Sequence, residues 1–374
     1  MQAVFISSAN SVADGGGGQQ ICSREYRAVL TAAGFRLNDV LFRPDRRLLT
    51  RIHIRLRRRH YHNHLPDDLV RRVVERVQAT GAMMVFANLN DLIPAGSSLR
   101  AALPPPVKLV LLSHGLASVD EVHTQRIAAS GIRAGHTRAD WTTVARLLAL
   151  ETQHLSAFDH VFGLAEFETG ICHWLGARSV SVLPRTVAKE FLPWKPSGDR
   201  VGCIGTMDHP PNEEGLWLLL RCLAKTPIGN LRVRLISRSH QVCAAAAAQY
   251  PFVDYLGPVE DPAAVHAEAG TWSAFLHPIF CHAMGCSTKV SVGLAWGLPV
   301  VTSDAGLRGY DWAAGALTTV NTPDSMAARV LALTQLSVAE AARQQVMAAL
   351  RQAPTLAEVA AQARRDLGLP ASTQ

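Results

Sequence analysis

The stretch FCHAMGCSTKVSVGLAWGLPVVTSDAGLRGYD, residues 280–311, holds four structural cues in succession: a loop of small and polar residues, a short helical run, a buried apolar strand, and a second glycine loop. Gly285, Cys286, Ser287 and Thr288 stand where the helix begins. The first turn of a helix has backbone amides with no intrahelical partner, and the helix dipole adds to their attraction for anions, so this terminus is a site for phosphate. Lys289, one of only five lysines in the chain, follows directly and suits a point charge on a diphosphate. A lysine on a helix surface is the alternative reading. The stretch points to a nucleotide diphosphate as ligand.

Working outward, strand-like apolar runs alternate with helical periodicity nearly throughout, which is the pattern of parallel sheets covered by helices on both faces. The first half supplies runs at 3–7, 40–42, 83–87, 109–113, 161–164 and 179–183. The second supplies 201–204, 233–236, 253–256, 274–276, 300–302 and 317–320. Helical spacing recurs at 142–154, 212–224 and 288–296. The segment FLPWKPSGDR at 191–200, with two prolines and a glycine, reads as a linker. These cues predict an α/β protein of two doubly wound, Rossmann-like domains facing each other across a cleft: 1–193, 194–345, and terminal helices at 346–374 that could reach back over the first domain, the sequence leaving open which domain they pack on. A length of 374 residues also exceeds what one core usually organises.

Apolar residues at 48% and charged residues at 18% describe a well-cored globular protein, and no apolar run approaches the roughly 20 residues of a membrane span. The first ten residues have no basic start and no cleavage pattern, so they read as a first strand. Seven scattered cysteines with no CxxC spacing argue against a disulfide framework or zinc finger and fit a cytoplasmic protein. His277, Cys281, His282 and Cys286 crowd together, but their spacing matches no established ligand set, and no metal is assigned.

Charge is concentrated. Residues 43–76 contain eleven arginines and four acids, a net +7 that equals the +7 of the whole chain. Arg55, Arg57, Arg58 and Arg59 form its densest part. An anionic lipid surface, at about 1 kcal/mol per arginine near the membrane, is one reading. An acidic acceptor is another, and a solvated arginine-rich helix a third. A nucleic-acid surface with His60 and Tyr61 available to stack would also account for the charge, but would leave the glycine loops of the second half idle, so no nucleic acid is expected.

Other constellations sit at predicted strand ends. GGGGQQ at 15–20 follows the first strand and precedes a helix, but lacks the spacing of a dinucleotide fingerprint or a Walker loop. It is a ligand-facing turn or a merely flexible one. His114, in KLVLLSHG at 108–115, lies at the carboxyl edge of the fourth strand, where ligands of parallel sheets gather. It is able to accept a proton or to bond a sugar hydroxyl, or simply to end the strand, with Asp120 in reach of the same loop. GTMDHPPNEEG at 205–215 leaves a strand and starts a helix at Asn212, a good N-cap. Met207 then projects into the cleft, or packs as an ordinary core methionine.

Together the glycine turn, His114, GTMDHPPNEEG and HPIF…STKVSVGLAWGLPVVTSDAG resemble glycosyltransferases of the GT-B fold, family 4 and its relatives (glycosyl transferases group 1). The likeness is strong over 201–309 and weaker before 108. It implies a nucleotide-diphosphate sugar donor, no further cofactor and usually no metal; consistently, no DxD occurs. The donor would lie against Gly205, Met207, Val259, Glu260, His277, Gly285, Cys286, Ser287, Thr288 and Lys289. The acceptor, of lipid-linked or other kind, would lie against Gly16, Gly17, Gly18, Gln19 and Asp120, on the inner face of the plasma membrane if Arg55 to Arg59 dock there. SHGLAS around His114 is also similar to SDGLS in the glucuronosyltransferase of xanthan assembly, where an aspartate serves as base. That makes His114 the base, or the residue that steadies the reacting sugar, with Lys289 neutralising the departing diphosphate. One departure from the family is Val292, which stands where KxxEA carries a glutamate for the donor ribose. A catalytically silent GT-B-like binding protein is therefore the rival expectation.

Overall fold

The structure is a computed structural model that describes residues 1–13, 17–43, 65–130 and 140–370. Two parallel sheets form it. The first contains β1 (Gln2–Ser8), β2 (Arg36–Phe42), β3 (Met84–Asn88), β4 (Lys108–Leu112), β5 (His160–Gly163) and β6 (Val180–Val182), in the order β2-β1-β3-β4-β5-β6. The second contains β7 (Arg200–Ile204), β8 (Arg232–Ile236), β9 (Val253–Gly257), β10 (Ala274–His277) and β11 (Val300–Thr302), in the order β11-β10-β7-β8-β9. Every strand pair is parallel. Such strands are buried on both faces, which explains why β1 and β3 read as near-continuous apolar runs.

Helices fill the connections. In the first unit these are α1 (Gly18–Ala32), α2 (Leu69–Thr80), α3 (Gly96–Ala102), α4 (Ala117–Ser130), α5 (Trp141–Leu155) and α6 (Glu166–Trp174). In the second they are α7 (Pro210–Leu223), α8 (His240–Gln249), α9 (Pro262–Ala269), α10 (Thr288–Ala295), α11 (Pro323–Ala332) and α12 (Leu336–Gln352). The last helix, α13 (Leu356–Asp366), crosses to the first unit, where Val359, Ala360 and Ala363 pack with Tyr26 and Leu30 of α1. Arg364 donates to the Ala33 carbonyl at 2.6 Å and Lys108 to that of Leu367 at 2.9 Å, so the end of the chain staples the two units together.

Three sequence expectations need correction. The helix after β7 begins at Pro210, not Asn212, because proline at the first helical position already has the required φ and no amide to satisfy. Asn212 Nδ2 instead donates to the Thr206 carbonyl at 2.8 Å. Residues 317–320 form no strand; only Val320 bonds the sheet, through its amide to Thr302 at 2.9 Å. Met207 does not project into the cleft. It is 1% exposed and packs into the second core beside Cys203 and Leu216, since a methionine at a strand end gains more from apolar burial than from water.

Residues 183–199, which join the sheets, carry no helix or strand yet run along the second unit. The Leu192 amide donates to Trp296 and the Lys195 amide to Gly270, and Leu192 and Trp194 pack with Trp272 and Phe275.

Candidate functional site

In each sheet the strand order reverses once, between β1 and β3 in the first and between β7 and β10 in the second. Loops at such a switch point diverge and leave a crevice beyond the carboxyl ends of the strands. The two crevices meet. A cavity of about 390 Å³ lies between them, lined from the first unit by Gly18, Gln19, Cys22, Asn90, His114, Asp120 and Leu164, and from the second by Thr206, His209, Asn212, Met284, 286–289 and Arg308.

The loop before α10 is held from several sides. Ser287 is the N-cap residue, but its hydroxyl is hydrogen-bonded to His277 Nε2 at 2.6 Å, and its carbonyl accepts from the Tyr310 hydroxyl at 2.8 Å. No side chain caps the helix, so its first amides stay available to a ligand. Burial, reinforced by Lys289 and Arg308, drives His277 well below the ordinary imidazole range and keeps it neutral. Lys289 itself is lowered by burial to about 8, which still leaves it largely cationic at neutral pH. Gly205, at φ +107°, lets the lysine stem lie close: a Cβ there would stand 3.0 Å from Lys289 Cε. A second cation completes the site. Arg308 NH1 donates to the Ala305 carbonyl at 2.9 Å, while its Nε is buried with no hydrogen-bond partner, and burial lowers its affinity for a proton. Unpartnered buried donors are expensive, and an anion in the cavity would answer this one.

On the opposite wall, Asn88 Nδ2 donates to Ser7 Oγ at 2.9 Å and Ser23 Oγ at 3.0 Å, which leaves Asn88 Oδ1 to accept from His114 Nε2 at 2.9 Å. The network therefore fixes His114 as the Nε2–H tautomer, with the lone pair on Nδ1. Burial, then the Arg185 charge, lowers His114 to about 3. The imidazole is neutral across the physiological range, a hydrogen-bonding group more than a proton store.

Two carboxylates from the first unit reach across to the second. Glu168 Oε1 accepts from Leu116 N at 3.1 Å and Gly285 N at 3.0 Å; its burial raises it to about 7 despite these bonds. Asp120 accepts from Met284 N at 2.7 Å and pairs with His209 at 3.2 Å. Its burial favours the acid, but the His209 and Met284 bonds outweigh that and lower it. The backbones abut here. A Cβ on Gly115 would stand 2.4 Å from the Gly285 nitrogen, and one on Gly285 would stand 2.3 Å from the His114 carbonyl oxygen, so neither position tolerates a side chain.

Comparison with known proteins fits this geometry. Residues 198–335 match the family model for Glycosyl transferases group 1. The chain resembles a sucrose-phosphate synthase from Thermosynechococcus elongatus over 97% of both chains, with TM-score 0.64 and 15% identity. It resembles the apo form of the lipopolysaccharide outer core galactosyltransferase WaaB over 99% of this chain and 100% of that one, with TM-score 0.62 and 14% identity. The fold is GT-B. A glycosyltransferase from Rickettsia africae shares it over 98% of each chain, with TM-score 0.60 and 14% identity. No curated protein sequence matches significantly.

Within this GT-B frame, His114, Asp120, Gly18, Gln19 and 286–289 come together at the cavity, with Gly285 behind them and Gly205 under Lys289. Gly17 is the N-cap of α1, while Gly16 lies outside the described residues, as do Arg55, Arg57, Arg58 and Arg59. Val259 packs beside the Trp272 cluster, and Glu260 is ion-paired to exposed Arg238 at 2.8 Å; neither lines the cavity. His277 acts behind Ser287. Among the described residues, no group of three His, Cys, Asp or Glu could hold a metal, and no helix is long and apolar enough to cross a membrane. Sequence reading assigned no role to Arg308, Glu168, Asn88, His209 or Tyr310. Arg308 and Tyr310 lie in the stretch at 280–311 and His209 lies in GTMDHPPNEEG, so these three had a local signal, whereas Glu168 and Asn88 lie in no stretch singled out from the sequence.

Proposed function

We propose that this protein is a glycosyltransferase that moves a sugar from a nucleotide-diphosphate donor to an acceptor hydroxyl. One observation carries the reading: Lys289, the unpartnered Nε of Arg308 and the uncapped start of α10 converge on a single cavity at two facing switch points. A leaving diphosphate gains one further negative charge as the glycosyl bond breaks, and fixed cations and amides in a secluded site stabilise that charge. The donor would occupy the α10 side and the acceptor the α1 side. His114, neutral and with Nδ1 free of the Asn88 bond, would hold a hydroxyl of the transferred sugar; its depressed basicity favours this role over general base. A chain lacking a glutamate at Val292 would contact the donor ribose by other groups. No step here calls on a resident metal.

The arginines at 55, 57, 58 and 59 support a further part of the proposal: a cytoplasmic enzyme that meets a lipid-linked acceptor at an anionic membrane. Equal sedimentation with neutral and anionic liposomes would remove this part and leave the rest.

A thermal-shift series with UDP, GDP and TDP tests the core reading, because a ligand that binds only the folded state raises its melting temperature. At least one should do so at millimolar concentration, and the matching nucleotide sugar should be hydrolysed or transferred. His114→Ala should lose turnover while retaining nucleotide affinity. Nucleotide binding without turnover of any sugar would favour the silent binding protein, and the absence of any shift would reject both.

A further inference from the structure

Two thiols meet at the cleft. Cys22, in the second turn of α1, and Cys286, in the loop before α10, come from opposite units and bring their sulfurs within 3.9 Å of each other. Both line the cavity, so a small solute that enters it reaches them. Between the units sits Arg185, 2% exposed, whose NH1 lies against Cys286 Sγ and 3.4 Å from Cys22 Sγ. Glu25 balances the guanidinium at 2.5 Å. The sugar chemistry proposed above calls on neither sulfur. A buried arginine aimed at a sulfur is instead the environment that favours a thiolate.

We propose that Cys22 and Cys286 are a redox pair, oxidised by peroxide to a disulfide that ties the two units together across the cleft. The Cys286 thiolate attacks one oxygen of hydrogen peroxide; the O–O bond breaks, hydroxide leaves, and Cys286 becomes a sulfenic acid. The Cys22 sulfur then attacks Cys286 Sγ, the S–O bond breaks, and the departing hydroxide takes the Cys22 proton and leaves as water. Two thiols lose two electrons in all, and one peroxide becomes two waters. The sulfurs must approach by about 2 Å to reach the bonded separation of about 2.05 Å.

The roles within the pair follow from their surroundings. Arg185 NH1 lies against Cys286 Sγ and farther, at 3.4 Å, from Cys22 Sγ. The bond between the two sulfurs, with Arg185 beside it, lowers Cys286 to about 6 although burial opposes it. The same bond, together with burial, pushes Cys22 well up. Cys286 is therefore the nucleophile and Cys22 the resolving thiol. The other thiols contrast with them: burial pushes Cys172, Cys203 and Cys281 up to about 12. A reducing compartment would return the pair to thiols, so the bridge is a reversible lock and not a structural staple.

The test is a non-reducing peptide map of the wild-type chain titrated with hydrogen peroxide. A cross-linked peptide containing Cys22 and Cys286 should form at least tenfold faster than oxidation at any other cysteine and revert with dithiothreitol. Cys22→Ser should instead accumulate a dimedone-reactive sulfenic acid at Cys286. Slower or equal oxidation at Cys286, a different disulfide partner, or direct passage to sulfinic acid in the wild type overturns the proposal, and none of these readouts depends on a variant that must fold. The expected consequence rests on the transferase reading: oxidised protein should lose turnover at least tenfold relative to its own reduced form, whereas Cys22→Ser should not lock in this way. Bridging without nucleotide binding would defeat the transferase reading and leave the redox pair standing.

Discussion

Two helices begin at the same cavity, and they differ in everything but geometry. Each follows a strand at a switch point, and neither has a side-chain cap. At α1 the first turn is Gly18, Gln19, Gln20 and Ile21, without charge. At α10 it contains Lys289, with Arg308 alongside and a loop fixed by His277, Tyr310, Glu168 and Asp120. A helix dipole alone is worth no more than about 1 kcal/mol to an exposed anion, so the backbone device is common to both ends and charge and rigidity separate their uses. On the proposed function, the α10 end takes the diphosphate and the α1 end a neutral, hydroxyl-rich partner.

The largest test of this contrast is Lys289→Ala. If Lys289 faces the diphosphate as proposed, losing this buried cation should weaken nucleoside diphosphate affinity roughly 100-fold, or about 2.7 kcal/mol, as read by calorimetry. The fold should survive, because truncation of an inward-facing ammonium removes a desolvation cost along with the charge. An unchanged affinity would move the phosphate site away from α10.

A second test acts on the rigidity of the α10 loop. Glu168→Ala leaves the amides of Leu116 and Gly285 without their acceptor and should cost about 2 kcal/mol in urea unfolding; Glu168→Gln, which keeps an acceptor oxygen, should cost less. The sign of the pH effect follows from the raised pKa. Glu168 goes from an ordinary 4.5 to about 7, so the folded state holds a proton that the unfolded state releases. The contribution of Glu168 to stability is complete below about 4.5 and declines as pH rises toward 7, and Glu168→Gln should flatten that decline. No carboxylate of the second unit serves α1 in the same way among the hydrogen bonds of the described residues.

What the sequence discloses divides along the same line. Eleven of the predicted strand runs exist because parallel strands buried on both faces leave continuous apolar signatures, as in Val4, Phe5 and Ile6. The run at 317–320 looked alike but has only one ladder bond, at Val320; apolar composition marks burial and does not by itself supply a partner. The α10 side of the cavity was legible because its lining, 286–289, is contiguous in sequence and follows Gly285 directly. Glu168 was not, since its partner Gly285 is 117 residues away, and neither was the tautomer of His114, which depends on Asn88, Ser7 and Ser23. Met207 misled for a related reason: its position at a strand end is a local fact, while the direction of its side chain is set by Cys203 and Leu216 in the core.

The third test sharpens the contrast through titration. Burial lowers Lys289 from 10.5 to about 8, so its charge is largely present at neutral pH and is lost as pH rises through about 8. Nucleoside diphosphate affinity should be level from about pH 6.5 to 8 and then weaken toward tenfold per unit. A bound diphosphate favours the ammonium, so the break in the complex should fall at a higher pH than in the free protein. Lys289→Arg should remove the break, and any dependence it retains would belong to another group.

The smallest effect is expected at the opposite helix. Gln19 lines the cavity from α1, and Gln19→Ala removes one amide without altering charge or the backbone. If the two ends divide their work as proposed, nucleoside diphosphate affinity should change by less than about twofold, because no ionic contact is lost and a single neutral hydrogen bond contributes only about 1 kcal/mol even where it is made. The Michaelis constant for the acceptor should rise instead, with the constant for the donor unmoved. The opposite pattern, a weakened nucleotide with an unaltered acceptor, would place the diphosphate between the two helix ends and make α1 and α10 partners in one anion site.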